Sequence, residues 1–197
     1  MITSSKYDRL ADAINQGFLV IYPTDTLYAL GAKVDIPQAV ELVFVLKQRP
    51  RSLPLPVAVA SMEMMEEIAV VTPLAKSLIG SFLPGPLTIV LEKRMVSSKI
   101  TAGTSTVALR IPDDPIALAL LKKTGPLTVT SANIHNHPTP ETVEEIRNMF
   151  ISSAIVAYID DGIRRGSPST IVDARNDRPV ILRKGSISIE QIDAVVS

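Results

Sequence analysis

The chain of 197 residues is 46% hydrophobic and 20% charged, with twenty Lys and Arg balanced by twenty Asp and Glu, and it contains no cysteine. That length and apolar content fit one packed domain over 1–197 and exclude a mainly disordered chain; the missing thiols exclude disulfides, thiolate nucleophiles and thiolate-bound zinc or iron–sulfur clusters. Zero net charge removes any bulk argument for nucleic acid, so an anion site has to be a local grouping of cations.

The first seventeen residues carry charges where a signal peptide needs an apolar core, and no run reaches the ~18 apolar residues of a membrane span. A cytoplasmic protein without membrane contact is therefore expected. Leu10, Ala11, Ala13 and Ile14 recur at helical spacing before Gly17, which predicts a helix over 5–16 ending at a glycine C′ position. The apolar, β-branched run 18–22 predicts a buried strand stopped by Pro23. A helix is expected from about Asp35-Ile-Pro37 to Lys47, before Pro50, and a strand over 55–60. Ser61 and Thr72-Pro73 read as caps of helices 62–69 and 73–82. After the turn Pro84-Gly85-Pro86, strands are expected over 87–92 and 106–111. Asp114-Pro115 opens a helix closed by Lys122, Lys123 and Gly125.

A strand over 127–130 comes next, then a helix started by Thr139-Pro140 and running to about Phe150. Strands near 155–159, 169–174 and 180–183 precede a terminal helix opened by the box Ser188-x-x-Gln191. Helices and strands interleave without a repeat or a linker, and the fifteen prolines are scattered as punctuation. The expectation is a layered α/β (α+β) domain with a mixed sheet, antiparallel in part after residue 155.

Several chemistries drop out. No two glycines are spaced as in G-x-G-x-x-G, no glycine precedes Lys-Ser/Thr as in a phosphate-binding P-loop, and G-x-S-x-G is absent. His135 and His137 lie in a polar loop without a local third ligand, which favours a solvated turn over a metal site. Hydroxyls and cations remain at the strand ends, where open α/β sheets gather ligands. They are Thr24-Asp25-Thr26, Lys47-x-Arg49, Thr106, Arg110, Ser131-Ala-Asn133, Ser169-Thr170 and Arg183. Singly, each reads as a turn former, a helix-end cation or a surface ion pair. Together, without a nucleophile–base pair, they suit phosphate and carboxylate oxygens.

The strings YPTDTLYALG (22–31), KQRP (47–50), PGPLTIVL (84–91), TVALRIPDDP (106–115), TSAN (130–133) with HPTP (137–140), and DG…GSPSTIVD…ILRKGSIS (161–188) resemble, in order and spacing, the YrdC/Sua5 family of L-threonylcarbamoyladenylate synthases. The resemblance implies a three-layer YrdC-like domain around a twisted mixed sheet flanked by helices, in its single-domain form. It implies condensation of L-threonine, bicarbonate and ATP to threonylcarbamoyl-AMP and pyrophosphate, feeding t6A at position 37 of tRNA, with tRNA or the t6A transferase as a partner.

Carried over by position, it puts Thr26, Arg110 and Ser169 on threonine, and Arg49, Thr106, Ser131, Thr139 and Arg183 on ATP. Lys47, Arg49 and Arg183 would be the catalytic, charge-stabilising groups. Mg²⁺ would arrive on the triphosphate, with no metal site of the protein's own. Asn133 would shape the TSAN turn.

Three positions depart from the family pattern: Ala29 in YALG, Leu53 after the K-x-R motif, and His135-Asn136-His137 after SAN. YALG is similar to the YciO branch, so a YciO-like relative with a different activity is one alternative; a non-catalytic RNA-binding module is another.

Overall fold

The computed structural model describes residues 4–151 and 154–196. The first helix, α1 (Ser4–Asn15), buries Ala11 and Ile14 and ends as its spacing predicts, with Gly17 at φ +97°. Strand β1 (Leu19–Tyr22) is buried throughout, its side chains alternating between two cores. Leu19 and Ile21 join the larger core, and Val20 and Tyr22 the smaller one.

β2 (Ala29–Gly31), α2 (Pro37–Lys47), β3 (Val57–Ala58), α3 (Met62–Ile68), β4 (Ala69–Val70), α4 (Pro73–Phe82), β5 (Leu87–Lys93), α5 (Ser98–Thr101) and β6 (Thr106–Arg110) follow in order. After them come α6 (Pro115–Thr124), β7 (Leu127–Thr128), β8 (Thr130–Ser131), α7 (Val143–Met149), β9 (Ile155–Tyr158), β10 (Thr170–Asp173), β11 (Val180–Arg183) and α8 (Ile189–Val196). Ser61, Thr72 and Asp114 cap their helices with side-chain oxygens, as expected. The Ser188–Gln191 box is present as a reciprocal pair of hydrogen bonds.

The fold is α/β with mixed pairing. One sheet runs β8-β2-β1-β9, with β1 parallel to β9 and antiparallel to β2. The other runs β11-β10-β5-β6-β3-β7, with β4 beside β5; β10 is parallel to β5 and antiparallel to β11. The larger core lies between the sheets and α2, α3, α4, α7 and α8; the smaller is closed by Ile14 of α1 and Ala117, Leu120 and Leu121 of α6. Each fully buried Leu or Ile stabilises the fold by ~1.5–3 kcal/mol relative to exposure.

Some expectations need correction. The stretch 127–130 is not one strand: β7 pairs with β3 in one sheet, β8 with β2 in the other, and Val129 marks the switch while donating its amide to Pro56 O at 2.9 Å. The strand foreseen over 55–60 shrinks to two residues because Pro56 has no N–H for the ladder, and Leu55 turns its amide to Ile100 O. The helix foreseen from Thr139-Pro140 begins at Val143, because Thr142 and Glu145 form a capping box that satisfies the first amides three residues later. Residues 139–141 are thereby left as loop. β2, β4 and α5 are too short for a periodicity signal.

Candidate active site

Four neighbouring strands lay one face of the larger sheet beneath a cavity. In register across β6, β5, β10 and β11, this face carries Ala108 and Arg110, then Thr88 and Val90, then Ile171, then Arg183; the opposite face, with Ile89, Leu109 and Val172, is core. The remaining wall comes from the β1–β2 turn, from Arg49, Pro54 and Pro56, from Val129–Ser131, and from Thr139 and Pro168. The enclosed volume is about 380 Å³, within the range of small-molecule sites. Three guanidinium groups and a set of hydroxyls line it; among the described residues no carboxylate or imidazole does.

Arg110, 4% exposed, is fixed on three sides. Its Nε donates to Gly85 O at 3.0 Å, NH1 to Thr26 Oγ1 at 2.9 Å, and NH2 to Asp25 Oδ2 at 2.7 Å. Of the five donors of a guanidinium, these bonds leave two for a ligand. Asp25 also accepts the Asp113 amide at 3.0 Å, so the ion pair is braced from the loop before α6. Thr26 is aimed by Thr24, whose hydroxyl accepts the amides of Thr26 and Leu27 and donates to Leu27 O at 2.6 Å.

Across the floor, Arg183 donates from Nε and NH2 to Ser169 O, and from NH2 to Ser169 Oγ at 3.1 Å. Ser169 Oγ shares a 2.7 Å hydrogen bond with Thr88 Oγ1. Partial burial of the guanidinium, then the like charge of Arg110, lower the Arg183 pKa. Arg49 is held by backbone carbonyls, with Nε to Leu53 O and NH2 to Pro54 O at 2.9 Å; burial lowers its pKa as well. The contact uses the Leu53 backbone carbonyl, which any residue at this position would supply.

Two glycines admit close backbone approaches that complete the wall. A Cβ at Gly166 would lie 2.2 Å from Thr26 O, which accepts the Gly166 amide at 2.9 Å. A Cβ at Gly185 would lie 2.3 Å from Pro168 O. Neither position accepts a side chain without moving the segment that carries Thr26 or Ser169.

Of the residues singled out from sequence, Thr26, Arg49, Arg110, Ser131, Thr139, Ser169 and Arg183 meet at this cavity. Thr106 shares its strand face with Ala108 and Arg110 but lies past the rim, beside Glu92. Lys47 does not line the cavity. It is 2% exposed beneath the TSAN turn and donates from Nζ to Ser131 O at 2.5 Å, Asn133 O at 2.6 Å and Asn133 Oδ1 at 3.0 Å. Burial first, then the Arg49 charge, lower its pKa to about 7.

Asn133 also accepts from Ser131 Oγ and donates to His137 O at 2.6 Å, which makes it the keystone of that turn. The following loop is tight, with Asn136 in the left-handed region. Ala29 sits in β2 without a positive φ, so its methyl costs no backbone strain.

The sequence reading did not single out Thr88 or Tyr28, and it took Asp25 for a turn former, whereas the structure makes it the partner of Arg110. For Thr88 the signal was a hydroxyl within an otherwise apolar strand; for Asp25 it was a carboxylate one residue before a threonine expected on the ligand. Tyr28 lines the cavity and donates to Gly162 O at 2.7 Å.

With this geometry in view, relatives become informative. A family profile described as Sua5/YciO/YrdC, "Telomere recombination", matches residues 12–185. The chain belongs to this family. A Bacillus subtilis protein named threonylcarbamoyl-AMP synthase is 37% identical over 94% of the chain, and the chain spans 55% of that relative's length. The solved structure of Pyrococcus abyssi Sua5 complexed with L-threonine superposes with a TM-score of 0.92 at 39% identity, covering 99% of the chain and 58% of Sua5. Escherichia coli YciO matches at 0.87 with 25% identity over 96% of the chain and 94% of YciO. The chain thus spans just over half the length of the Bacillus subtilis and Pyrococcus abyssi relatives, and its YALG variant accompanies greater identity to Sua5 than to YciO.

Proposed function

We propose that this chain carries the threonylcarbamoyl-AMP synthase activity for which its Bacillus subtilis relative is named, making threonylcarbamoyl-AMP and pyrophosphate from L-threonine, bicarbonate and ATP. The observation that carries the reading is the convergence of Arg49, Arg110 and Arg183, with hydroxyls and no carboxylate, on one hollow. Two anionic substrates brought together need such an excess of fixed positive charge.

In this reading Arg110 takes the amino-acid carboxylate with its two remaining donors, with Thr26 and Ser169 completing the subsite; the threonine found in the Sua5 complex supports that choice of amino acid. Arg49, Ser131, Thr139 and Arg183 receive ATP, whose far end reaches Thr106. The threonine amine adds to CO₂ with loss of a proton to solvent, or to bicarbonate with loss of water, to give a carbamate. A carbamate oxygen then attacks the α-phosphorus in line, the bond to the bridging oxygen breaks, and pyrophosphate leaves with that electron pair. Arg49 and Arg183 offset the charge that develops; Lys47 holds the Ser131 turn from below. Mg²⁺ enters with the triphosphate, since the cavity wall offers no carboxylate to hold it. Among the described residues no helix is long and apolar enough to cross a membrane. The adenylate would supply tRNA modification at position 37.

Purified protein supplied with ATP, Mg²⁺, bicarbonate and threonine should release pyrophosphate and form the adenylate, read by mass spectrometry, and serine should replace threonine poorly. Turnover that ignores threonine would refute the proposal. Salt-sensitive tRNA binding without threonine-dependent turnover would favour an RNA-binding module instead.

A further inference from the structure

Outside the cavity, a cluster of charges joins the start of α6 to the loop between β9 and β10. Asp114, 2% exposed, divides its carboxylate between two tasks. Oδ1 accepts the amides of Ile116 and Ala117 at 2.9 and 3.0 Å as the helix cap, while Oδ2 accepts Arg164 NH2 at 3.0 Å. The same NH2 also pairs with Asp161. Arg164 Nε is buried without a partner, so the half-buried guanidinium is held through NH2 by its two carboxylates. Burial raises the Asp114 pKa, opposed by the helix amides and Arg164. Burial, then the charges of Asp114 and Asp161, raise the pKa of the nearby Tyr7 phenol.

The cation thus anchored sits two residues before Gly166, whose amide reaches Thr26 O, and five before Ser169. The neighbouring Asp113 amide braces Asp25, which holds Arg110. Adjacent residues at one helix start therefore tie down both sides of the subsite assigned above to threonine.

We infer that Arg164 is a positioning residue: paired with Asp114, it locks the 159–169 loop against α6 and so holds Thr26 and Ser169 at the spacing an amino-acid ligand requires. The ligand assignment rests on the proposed function, whereas the locking of the loop does not. Releasing the anchor leaves Arg49 in place and Ser169 still bonded to Arg183 and Thr88, but lets the Gly166–Thr26 contact open, so the Thr26 side of the subsite loosens first. Small displacements of positioning groups cost up to ~100-fold in binding or rate.

The test compares Arg164→Ala, Arg164→Lys and Asp114→Asn in the full chain. Asparagine caps a helix about as well as aspartate but offers an amide where Oδ2 was, so Asp114→Asn separates the anchor from the cap. We expect Arg164→Ala and Asp114→Asn to raise the threonine KM and the calorimetric threonine Kd roughly ten- to hundredfold, leaving kcat and the ATP KM near wild type. Arg164→Lys should recover part of the loss. Hydrogen exchange at the Gly166 amide should accelerate in both variants without any ligand. Unchanged exchange at Gly166, or equal losses for threonine and ATP, would overturn the inference. Wild-type protein that fails to bind threonine would refute the proposed function, and the exchange result would still decide whether Arg164 locks the loop.

Discussion

The Asp25–Arg110 pair offers the sharpest energetic test. Both side chains are well buried, 15% and 5% exposed, and the oxygen lies 2.7 Å from the guanidinium nitrogen. Asp25→Asn retains an oxygen for the Asp113 amide but leaves Arg110 without its counter-charge. Breaking a buried pair on one side costs ~3–5 kcal/mol; the open cavity beside Arg110 lets solvent screen part of this, so a loss of about 2–4 kcal/mol is expected. For a chain of this size each kcal/mol moves Tm by ~2–4 °C, giving a fall of roughly 5–15 °C by calorimetry.

Threonine should reverse much of that fall. Under the proposed function its carboxylate has to approach a guanidinium that Asp25 already neutralises, and two carboxylates about 6 Å apart repel by ~2–3 kcal/mol at an effective dielectric of 20. The variant lacks that repulsion, so at a fixed threonine concentration its Tm should rise by more than the wild type's. A variant that melts within ~2 °C of wild type, or that gains no more from threonine than wild type does, would refute the reasoning.

Other outcomes follow from the same structure. Arg110→Ala should chiefly raise the threonine KM, whereas Arg49→Ala and Arg183→Ala should lower the rate at saturating threonine; equal, negligible effects from all three in a pyrophosphate-release assay would undo the assignments. Gly166→Ala should destabilise the fold by ~2 kcal/mol or more, because the new methyl meets Thr26 O; a wild-type Tm would contradict this. Lys47, at about pKa 7 when folded against 10.5 as the ordinary value, binds fewer protons in the native state than in the unfolded one between those pH values. Stability should therefore rise with pH across that window by up to a few kcal/mol, on the order of the shift itself, and Lys47→Met should remove this slope in denaturant titrations. An unchanged slope in the variant would show that Lys47 keeps its proton.

Much of the architecture could be read from the chain because its signals are local. Caps at Ser61, Thr72 and Asp114, stops at Gly17 and Gly125, and apolar runs at β1, β5 and β6 fix dihedrals within a few residues of themselves. Readings failed where a distant partner decided the outcome. Leu127–Ser131 carries one apolar pattern, yet β3 claims its first half and β2 its second, and nothing within the five residues announces the exchange. The start of α7 was misplaced because two capping signals compete over four residues and the reciprocal box at Thr142 prevails.

The same distinction holds at the site. Cations and hydroxyls at strand ends are visible as a chemical set, and seven of those carried over from the family resemblance line the cavity. Lys47 misled because its charge suggests a ligand contact, whereas its carbonyl partners lie 84 and 86 residues ahead in the chain. Thr88 escaped notice because a threonine in a strand is ordinary until Ser169 is placed opposite it.

The crossing at Val129 also limits how this molecule can breathe. One residue separates the strand that belongs to the cavity floor's sheet from the strand that belongs to its opposite wall, and Val129 itself faces the hollow. Along that seam the two halves are stitched by covalent bonds and cannot part. Opening of the hollow is left to the far side, where β11 forms the margin of its sheet and the 159–169 loop is fastened mainly by side chains and single amides.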